Sequence, residues 1–148
     1  MIALLQRVKH ATVHIDDKEI AQIEQGLLVF IGVEKDDSDK QADRLIERIL
    51  GYRIFSDPND KMNLSLCDVQ GGLLLVPQFT LAADTRKGMR PSFTPAASPE
   101  DGERLFDYLV EQAELKYPTV STGQFAADMQ VSLINDGPVT FWLQTSPN

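Results

Sequence analysis

The sequence has little of what most common catalytic sites require. It contains a single cysteine, Cys67, and only two histidines, His10 and His14. One cysteine cannot form a disulfide within the chain, which fits a reducing compartment. The sequence also lacks a Walker loop, the dinucleotide-binding glycine pattern, an HExxH motif and a paired CxxC. These absences leave no motif for nucleotide-phosphate, metalloprotease or dithiol chemistry.

The few reactive side chains are weak candidates for a site. His10 and His14 are spaced to face the same side of a predicted strand, as two metal ligands would, but no third ligand is evident. We therefore interpret them as surface or packing residues, and we expect neither a metal nor a cofactor. Without a further histidine, a serine or cysteine triad is also disfavoured. Cys67 has no basic neighbour in "LSLCDVQ" to lower its pKa, which favours a buried or unreactive thiol.

Long hydrophobic runs are absent too. The first nine residues include Gln6, Arg7 and Lys9, which is not typical of a signal peptide, and no apolar run approaches membrane-spanning length. We expect a soluble, cytoplasmic protein without a membrane partner.

Positive charge is scarce, since the net charge is -8. An acidic chain binds nucleic acid poorly in a non-specific way, and no DNA partner is expected. The one basic cluster is "TRKGMRPSF", with Arg86, Lys87 and Arg90. It is either a solvated loop or a local contact for phosphates.

The remaining pattern predicts one α+β domain over residues 1–148, with a mixed or barrel-like sheet and two main helices. Strands are expected at Ile2–Ile15, "EIAQIEQG" and "LLVFIGVE", and later at "GGLLLVPQFTL", "VSTGQFAADMQVSLI" and "VTFWLQT". The first helix follows Ser38 and ends at Gly51. The second begins with Ser98 as N-cap and Pro99 at its first position, and Asp101 completes a capping-box pattern. The segment "DPNDKMNLSL" is rich in turn residues and indicates a hairpin or loop edge.

Two segments are suited to chemistry without a side-chain base. In "PQFTL", Pro77 is expected to end the strand and free the N–H groups of Gln78, Phe79 and Thr80. Free, converging N–H groups can hold a developing oxyanion. The alternative is an ordinary strand end without function.

The second segment is "NDGPVT", where Gly137 and Pro138 interrupt two strand-like sequences. An X-Pro bond has an appreciable cis fraction and can turn the chain sharply, which would project the flanking carbonyl groups. The alternative is a hairpin turn without function.

Both segments lie within longer stretches of sequence that match one known protein family. The sequences "QFTLAADT", "FAADMQVSL" and "NDGPVTFWLQ" closely resemble the bacterial D-aminoacyl-tRNA deacylases, whose signature motifs are Ser-Gln-Phe-Thr and Asn-x-Gly-Pro-Val-Thr. The similarity continues through "MIALLQRV", "GLLVFIGVEKDD", "GYRIFSD", "KMNL" and "GMRPSF". It therefore covers essentially the whole chain in order.

The resemblance implies a function and an assembly. Members are cytoplasmic homodimers of barrel-like α+β fold that hydrolyse the ester between a D-amino acid and the 3′-terminal adenosine of tRNA. They also remove glycine mischarged onto alanine tRNA. The active site lies at the dimer interface, and the cis Gly-Pro motif enters the partner's pocket. By this resemblance, Gly137 and Pro138 would bound the space beside the substrate α-carbon, where an L side chain would clash.

The resemblance also implies roles for other residues. The main-chain N–H groups of Gln78–Thr80 would polarise the ester carbonyl, and the terminal ribose 2′-hydroxyl would help to activate water. Phe125 and Met129 would hold the terminal adenine, although both residue types also suit a protein core. Arg7 would support the Gly-Pro loop, with a surface ion pair as its alternative.

One departure from the family pattern concerns Pro77, where the family has serine. Proline has neither the serine hydroxyl nor a backbone N–H, so a mechanism that needs that serine is disfavoured. A mechanism based on the backbone of Phe79 and Thr80 remains, and we predict retained activity. The alternative function is a non-catalytic binder of aminoacyl-tRNA 3′ ends or of D-amino acids.

Overall fold

The long first strand, β1 (Ile2–Ile15), organises the sheet. The structure is a computed structural model that describes residues 1–147, and the predicted domain end at Asn148 lies outside them. On one edge, the first half of β1 pairs antiparallel with β3 (Gly26–Gly32) and its second half with β2 (Lys18–Ile23). On the other edge it pairs antiparallel with β8 (Gln130–Gln144). Because β3 and β2 both pair with the same edge of β1, the sheet curves along this strand.

The middle of the chain adds parallel strands, which makes the sheet mixed. β6 (Gly72–Pro77) pairs with β3, and β7 (Val120–Thr122) pairs with β6, both parallel. The Ser121 hydroxyl donates to the Gln22 carbonyl over 3.4 Å, so β7 returns towards β2 and the sheet nearly closes. The predicted barrel-like mixed sheet is confirmed. The turn-rich segment forms a separate antiparallel pair of β4 (Phe55–Ser56) and β5 (Met62–Leu64).

Two long helices cover one face of the sheet. α1 (Asp39–Gly51) follows its N-cap Ser38, and α3 (Pro99–Lys116) follows the predicted N-cap Ser98. Of the predicted capping box of α3, only the bond to the Ser98 side chain forms. Ser98 Oγ accepts a hydrogen bond from the Asp101 N–H over 3.2 Å. The two main helices are thus confirmed. A short helix, α2 (Leu66–Val69), was not predicted, because a single turn carries no helical period in the sequence.

The alternation of side chains along the central strands divides the apolar interior. Leu27 and Val29 of β3 pack with α1 and α3, whereas Leu28 points to the opposite face. The second face encloses the barrel interior with Val8, Ala11, Val13, Ala21, Ile23, Leu74 and Val76. The sheet is therefore buried on both sides at its centre.

The Gly-Pro segment lies within β8. Both halves of β8 run antiparallel to β1, and the register passes from Gln6–Thr140 to Val8–Asn135. Residues 136–139 therefore bulge out of the ladder opposite a single β1 residue. A hairpin turn is wrong, because a hairpin would reverse the chain direction. The prediction of two separate strands is also corrected, since one strand continues through the bulge.

Within residues 1–147, no helix combines the length and the apolar composition that crossing a bilayer requires.

Candidate active site

The main cavity lies where the parallel strands end. Its volume is about 580 Å³, which is in the range of small-molecule sites. Three parts of the chain line it: the ends of β3 and β6, the start of α3, and the segment 125–131. Because β3 and β6 are parallel, their carboxyl ends meet at the same edge of the sheet.

Four of the predicted site residues meet at this cavity. Gln78 and Phe79 line it from the segment after β6, and Phe125 and Met129 line it from the opposite wall. Thr80 is exposed and lies outside the lining, but its Oγ1 accepts a hydrogen bond from Gln78 Nε2 over 2.7 Å. Thr80 therefore fixes the side chain that faces the cavity.

The N–H of Gln78 is not free, contrary to the prediction. It donates to the Ile31 carbonyl over 2.8 Å and so continues the ladder between β6 and β3. The reason is that successive N–H groups of a strand point to opposite edges, and β3 still runs beside this position up to Gly32. Pro77 therefore cannot release its neighbour.

β6 tolerates Pro77 because the N–H group that proline lacks would point towards β7, which is a short strand. The Leu73 N–H donates towards β7, to the Thr119 carbonyl over 2.9 Å. Pro77 lies four residues further along β6 and so faces the same edge, but β7 has already ended at Thr122. A missing donor costs little at a strand end.

The next two N–H groups belong to the first turn of a 3₁₀ helix, Phe79–Ala82. Its first internal bond runs from the Leu81 N–H to the Gln78 carbonyl, over 3.2 Å. The N–H groups of Phe79 and Thr80 precede that bond and have no acceptor within the helix. Of the three predicted donors, these two remain available.

The opposite wall is the segment between β7 and β8, which folds on itself. Its Gln124 N–H points at the Met129 sulfur over 3.4 Å, and its Ala127 N–H donates to the Gln124 carbonyl over 3.3 Å. A Cβ on Gly123 would lie 2.8 Å from the Met129 sulfur, so a side chain here would displace the Met129 thioether. Phe125 and Met129 are half-buried, and each touches the edge of an apolar core while it faces the cavity.

The sequence did not predict the contribution of α3 to the site. Ser98, Pro99 and Gly102 from its first turn line the cavity. A Cβ on Gly102 would lie 3.5 Å from the Phe125 ring, which is an ordinary van der Waals distance. The available signal was the glycine itself, because glycine is unfavourable inside a helix and so draws attention to its position.

The Gly-Pro bulge lies away from the cavity of its own chain. Gly137, Pro138 and Arg7 are not among the cavity-lining residues. Arg7 pairs with Leu27 of β3, four residues before the cavity residue Ile31, which corresponds to about 13 Å along the strand. The Gly137–Pro138 peptide is cis, and both residues are exposed. One chain alone thus does not bring the two signature motifs together.

Arg7 and Asn135 hold the bulge in shape. The Arg7 Nε donates to the Asp136 carbonyl over 2.8 Å, and its Nη1 donates to the Ile54 carbonyl over 2.9 Å. The Asn135 Oδ1 accepts from the Val139 N–H over 2.7 Å. The Arg7 side chain is only 13% exposed, so its main contacts are main-chain carbonyls rather than a surface ion pair.

Other reactive side chains lie outside the cavity. Cys67 is exposed rather than buried, because it lies on the outer side of the unpredicted helix α2. Partial burial and the charge of Asp68 raise the pKa of its thiol, which disfavours the reactive thiolate. His10 and His14 lie on β1, where they pair with β8. No group of three or more potential ligands in residues 1–147 is arranged to hold a metal ion.

The basic cluster forms a closed loop that one aromatic contact links to the wall of the cavity. Asp84 and Ser92 exchange two main-chain hydrogen bonds, of 2.8 and 3.0 Å. Arg86 forms a bidentate pair with Asp84, and these bonds lower the pKa of the Asp84 carboxyl to about 2. Phe93, just after the loop, lies 5.2 Å from Phe79 between ring centroids. The loop therefore borders the cavity through this aromatic pair.

Comparison with known proteins identifies the family of the chain. The family model described as D-Tyr-tRNA(Tyr) deacylase matches residues 4–144. A D-aminoacyl-tRNA deacylase of Paraburkholderia phytofirmans is 60% identical over 151 residues, covering 99% of each chain. One from Janthinobacterium sp. is 58% identical over 147 residues, again with 99% of each chain covered.

Solved structures give the same fold. A c-Myc DNA unwinding element binding protein superposes with a TM-score of 0.95 at 35% identity, over 99% of each chain. A probable eukaryotic D-amino acid tRNA deacylase superposes with a TM-score of 0.81 at 18% identity, over 97% of this chain and 98% of the other. The chain therefore belongs to the D-Tyr-tRNA(Tyr) deacylase family, and it is an enzyme with D-aminoacyl-tRNA deacylase activity.

Proposed function

We propose that the enzyme hydrolyses the ester of D-aminoacyl-tRNA in the cytoplasm, and also that of glycyl-tRNA mischarged on alanine tRNA. The observation that carries this proposal is the cavity itself. It joins Gln78 and Phe79 on one wall with Phe125 and Met129 on the other, although at least 46 positions of sequence separate the two walls. The aromatic and thioether wall suits the terminal adenine, and the wall after β6 suits the ester.

The N–H groups of Phe79 and Thr80 are the proposed oxyanion donors. They have no acceptor within the 3₁₀ helix, and they follow directly on a residue that the β3 ladder fixes. Fixed donors stabilise a developing oxyanion without reorganisation during the reaction. Within residues 1–147, no histidine or lysine lines the cavity. The attacking water would then depend on the ribose 2′-hydroxyl of the substrate.

Chirality is proposed to be set by the bulge of a second subunit. Gly137 and Pro138 of one chain would enter the cavity of its partner and occupy the space that an L side chain requires. A rigid clash rejects a ligand more strongly than a missing attraction does, and glycine, with no side chain, would pass. The position of the bulge away from its own cavity supports an arrangement in trans.

The exposed face of β8 supports a homodimer. Ile134 and Trp142 flank the bulge on either side, and they are 49% and 51% exposed. Large apolar side chains at an exposed site are typical of an interface. Because the bulge and these residues lie on one strand, docking of a second copy would deliver the bulge to its target.

Two substitutions at one position test the oxyanion donor. Phe79→Ala removes the ring and keeps the N–H, whereas Phe79→Pro removes both. Proline fits the first position of a helix, and the preceding residue lies outside the α region that a following proline disfavours, with φ −144° and ψ 85°. We expect Phe79→Pro to lower the rate of D-tyrosyl-tRNA hydrolysis by a further 10²-fold or so relative to Phe79→Ala. Equal rates would refute the donor role, and binding without turnover by the unaltered protein would favour the non-catalytic alternative.

A heterodimer tests the arrangement in trans. One subunit is unaltered, and the other carries both Phe79→Pro and Gly137→Ala. If the bulge acts on the partner, the working cavity of the unaltered subunit receives the altered bulge of the other subunit. The heterodimer then has the D-over-L ratio of the Gly137→Ala homodimer. If the bulge acts within its own chain, the heterodimer retains the unaltered ratio.

A further inference from the structure

The loop from Asp84 to Ser92, here called the basic loop, has a defined shape. Its two ends are joined by the paired main-chain bonds of Asp84 and Ser92. Gly88 near its middle has φ +66°, a left-handed conformation that glycine adopts without strain. Every residue from Thr85 to Ser92 is exposed. The loop thus projects as a closed unit.

Two cations in the basic loop have no acidic partner. Arg86 is neutralised by Asp84, whose carboxylate it binds with two hydrogen bonds. Lys87 and Arg90 are exposed, and no ion pair among residues 1–147 includes either of them. On a chain of net charge -8, two unpaired cations three residues apart form a local positive region.

This positive region lies next to the wall of the cavity. Phe93 follows the loop and contacts Phe79, which lines the cavity. If the terminal adenosine lies in the cavity, the Phe79–Phe93 contact places the basic loop beside the tRNA 3′ end, and the phosphates of the preceding nucleotides are the nearest polyanion to it. Charge alone would suit an acidic protein equally well, so it is this adjacency to the cavity that favours RNA phosphate.

We propose that Lys87 and Arg90 bind the phosphate backbone of the tRNA acceptor stem close to its 3′ end. This inference rests on the proposed function. Arg86 serves as a positioning residue, because its pair with Asp84 stabilises the loop that carries the other two cations. The contacts are with phosphates, so they contribute affinity without selecting a base sequence.

The experiment compares a double variant with a matched control. Lys87→Gln/Arg90→Gln removes the two cations, and Lys40→Gln/Lys61→Gln removes two exposed lysines elsewhere. Each protein is titrated with uncharged tRNA across a salt series, and hydrolysis is measured on D-tyrosyl-tRNA and on 3′-O-D-tyrosyl-adenosine. The small ester fills the cavity but has no acceptor stem.

We expect the loop variant to bind tRNA roughly tenfold or more weakly at low salt, with the salt slope of log K reduced by about two. Its kcat/KM on the small ester is expected to stay within about twofold of the unaltered protein. The control, which also loses two positive charges, should match the unaltered protein in tRNA affinity and in salt slope apart from the small long-range effect of two distant lysines.

Three results would overturn the inference. One is an unchanged tRNA affinity and slope in the loop variant. Another is an equal loss on the small ester, which would make the loop part of the ester site. The third is equal binding of a DNA duplex of acceptor-stem length, with the same dependence on the loop, because the region would then be a general polyanion site. Absence of hydrolysis by the unaltered protein would refute the proposed function, whereas the tRNA titration would still decide the role of the loop.

Discussion

Arg7 binds Asp136 through the main chain rather than mainly through charge. Its Nε donates to the Asp136 carbonyl oxygen over 2.8 Å, while the Asp136 carboxylate lies further away, at 3.8 Å from the same nitrogen. A second guanidinium nitrogen donates to the Ile54 carbonyl. One planar group thus ties the bulge of β8 to the segment before β4, in a fixed direction that suits a bulge acting on a second subunit.

Replacement of Arg7 by lysine should show that this geometry matters. Lysine keeps the charge but lacks the planar fork that reaches both carbonyls. We expect Arg7→Lys to cost about 2 kcal/mol of unfolding free energy, because a buried hydrogen bond from a charged donor is lost. The D-tyrosyl-tRNA rate should fall by about tenfold or more, as the bulge loses its position. Thermal melting and single-turnover hydrolysis measure the two effects. Arg53→Lys, an exposed change, is the control, and an Arg7→Lys enzyme of full activity would contradict the prediction.

Addition of a methyl group at Gly137 should disturb discrimination. A Cβ there would lie 2.6 Å from Val139 Cγ2 and 3.2 Å from an Arg7 nitrogen, and the φ of +145° is unfavourable for alanine. We expect the D-over-L ratio of kcat/KM to fall by about tenfold or more. The melting temperature should change by less than about 4 °C, since the bulge is exposed.

Gly51→Ala is the matched change for this test, because a Cβ at Gly51 meets nothing within 4 Å. That variant should keep its D-over-L ratio, and its stability should stay the same or rise by up to about 1 kcal/mol, as alanine is favoured over glycine in a helix. A Gly137→Ala enzyme with undiminished discrimination would rule out the bulge as the chiral gate.

Restoration of serine at position 77 should change the rate only moderately. The main-chain donor that Pro77 lacks would face the edge where β7 has ended, and the free N–H groups belong to later residues. We therefore expect the unaltered enzyme to be active, with a Pro77→Ser rate within about tenfold of it in single-turnover hydrolysis. An inactive parent that serine rescues would instead make the missing hydroxyl or N–H essential.

Replacement of Ala126 by glycine should stabilise the folded protein. Its φ is +63°, a left-handed conformation that costs an alanine about 1 kcal/mol or more and glycine almost nothing. We expect Ala126→Gly to raise the unfolding free energy by up to about 1 kcal/mol, measured by urea denaturation. The neighbouring Ala127 is not among the positive-φ residues, so Ala127→Gly should destabilise by about 0.5 to 1 kcal/mol. The same sign for both changes would contradict this explanation.

The ion pair of the basic loop should depend on pH in the acid range only. The bonds from Arg86 lower the pKa of the Asp84 carboxyl from its ordinary 3.8 to about 2, so the folded state favours the ionised form. The resulting stabilisation is fully present above pH 3.8 and is lost as the pH falls through about 2. Carboxyl titration by NMR should find Asp84 ionised at pH 3, and in an Arg86→Gln variant its midpoint should return towards the ordinary value. A midpoint that does not move would show that Arg86 is not the cause.

The sequence alone determined the local elements, because their signals are local. The apolar period predicted both long helices, the N-cap at Ser98 predicted where the second one begins, and the signature segments identified the family. The cavity depended on the tertiary structure, since the parallel pairing of β3 with β6 brings their ends to α3 and to the segment of Phe125 and Met129. The register between strands also decided what no local pattern could. It kept the Gln78 N–H in a ladder, carried β8 through the Gly-Pro bulge as one strand, and set that bulge apart from its own cavity. Register is fixed by which faces become buried and which edges find partners, and those are properties of the folded chain rather than of any single segment.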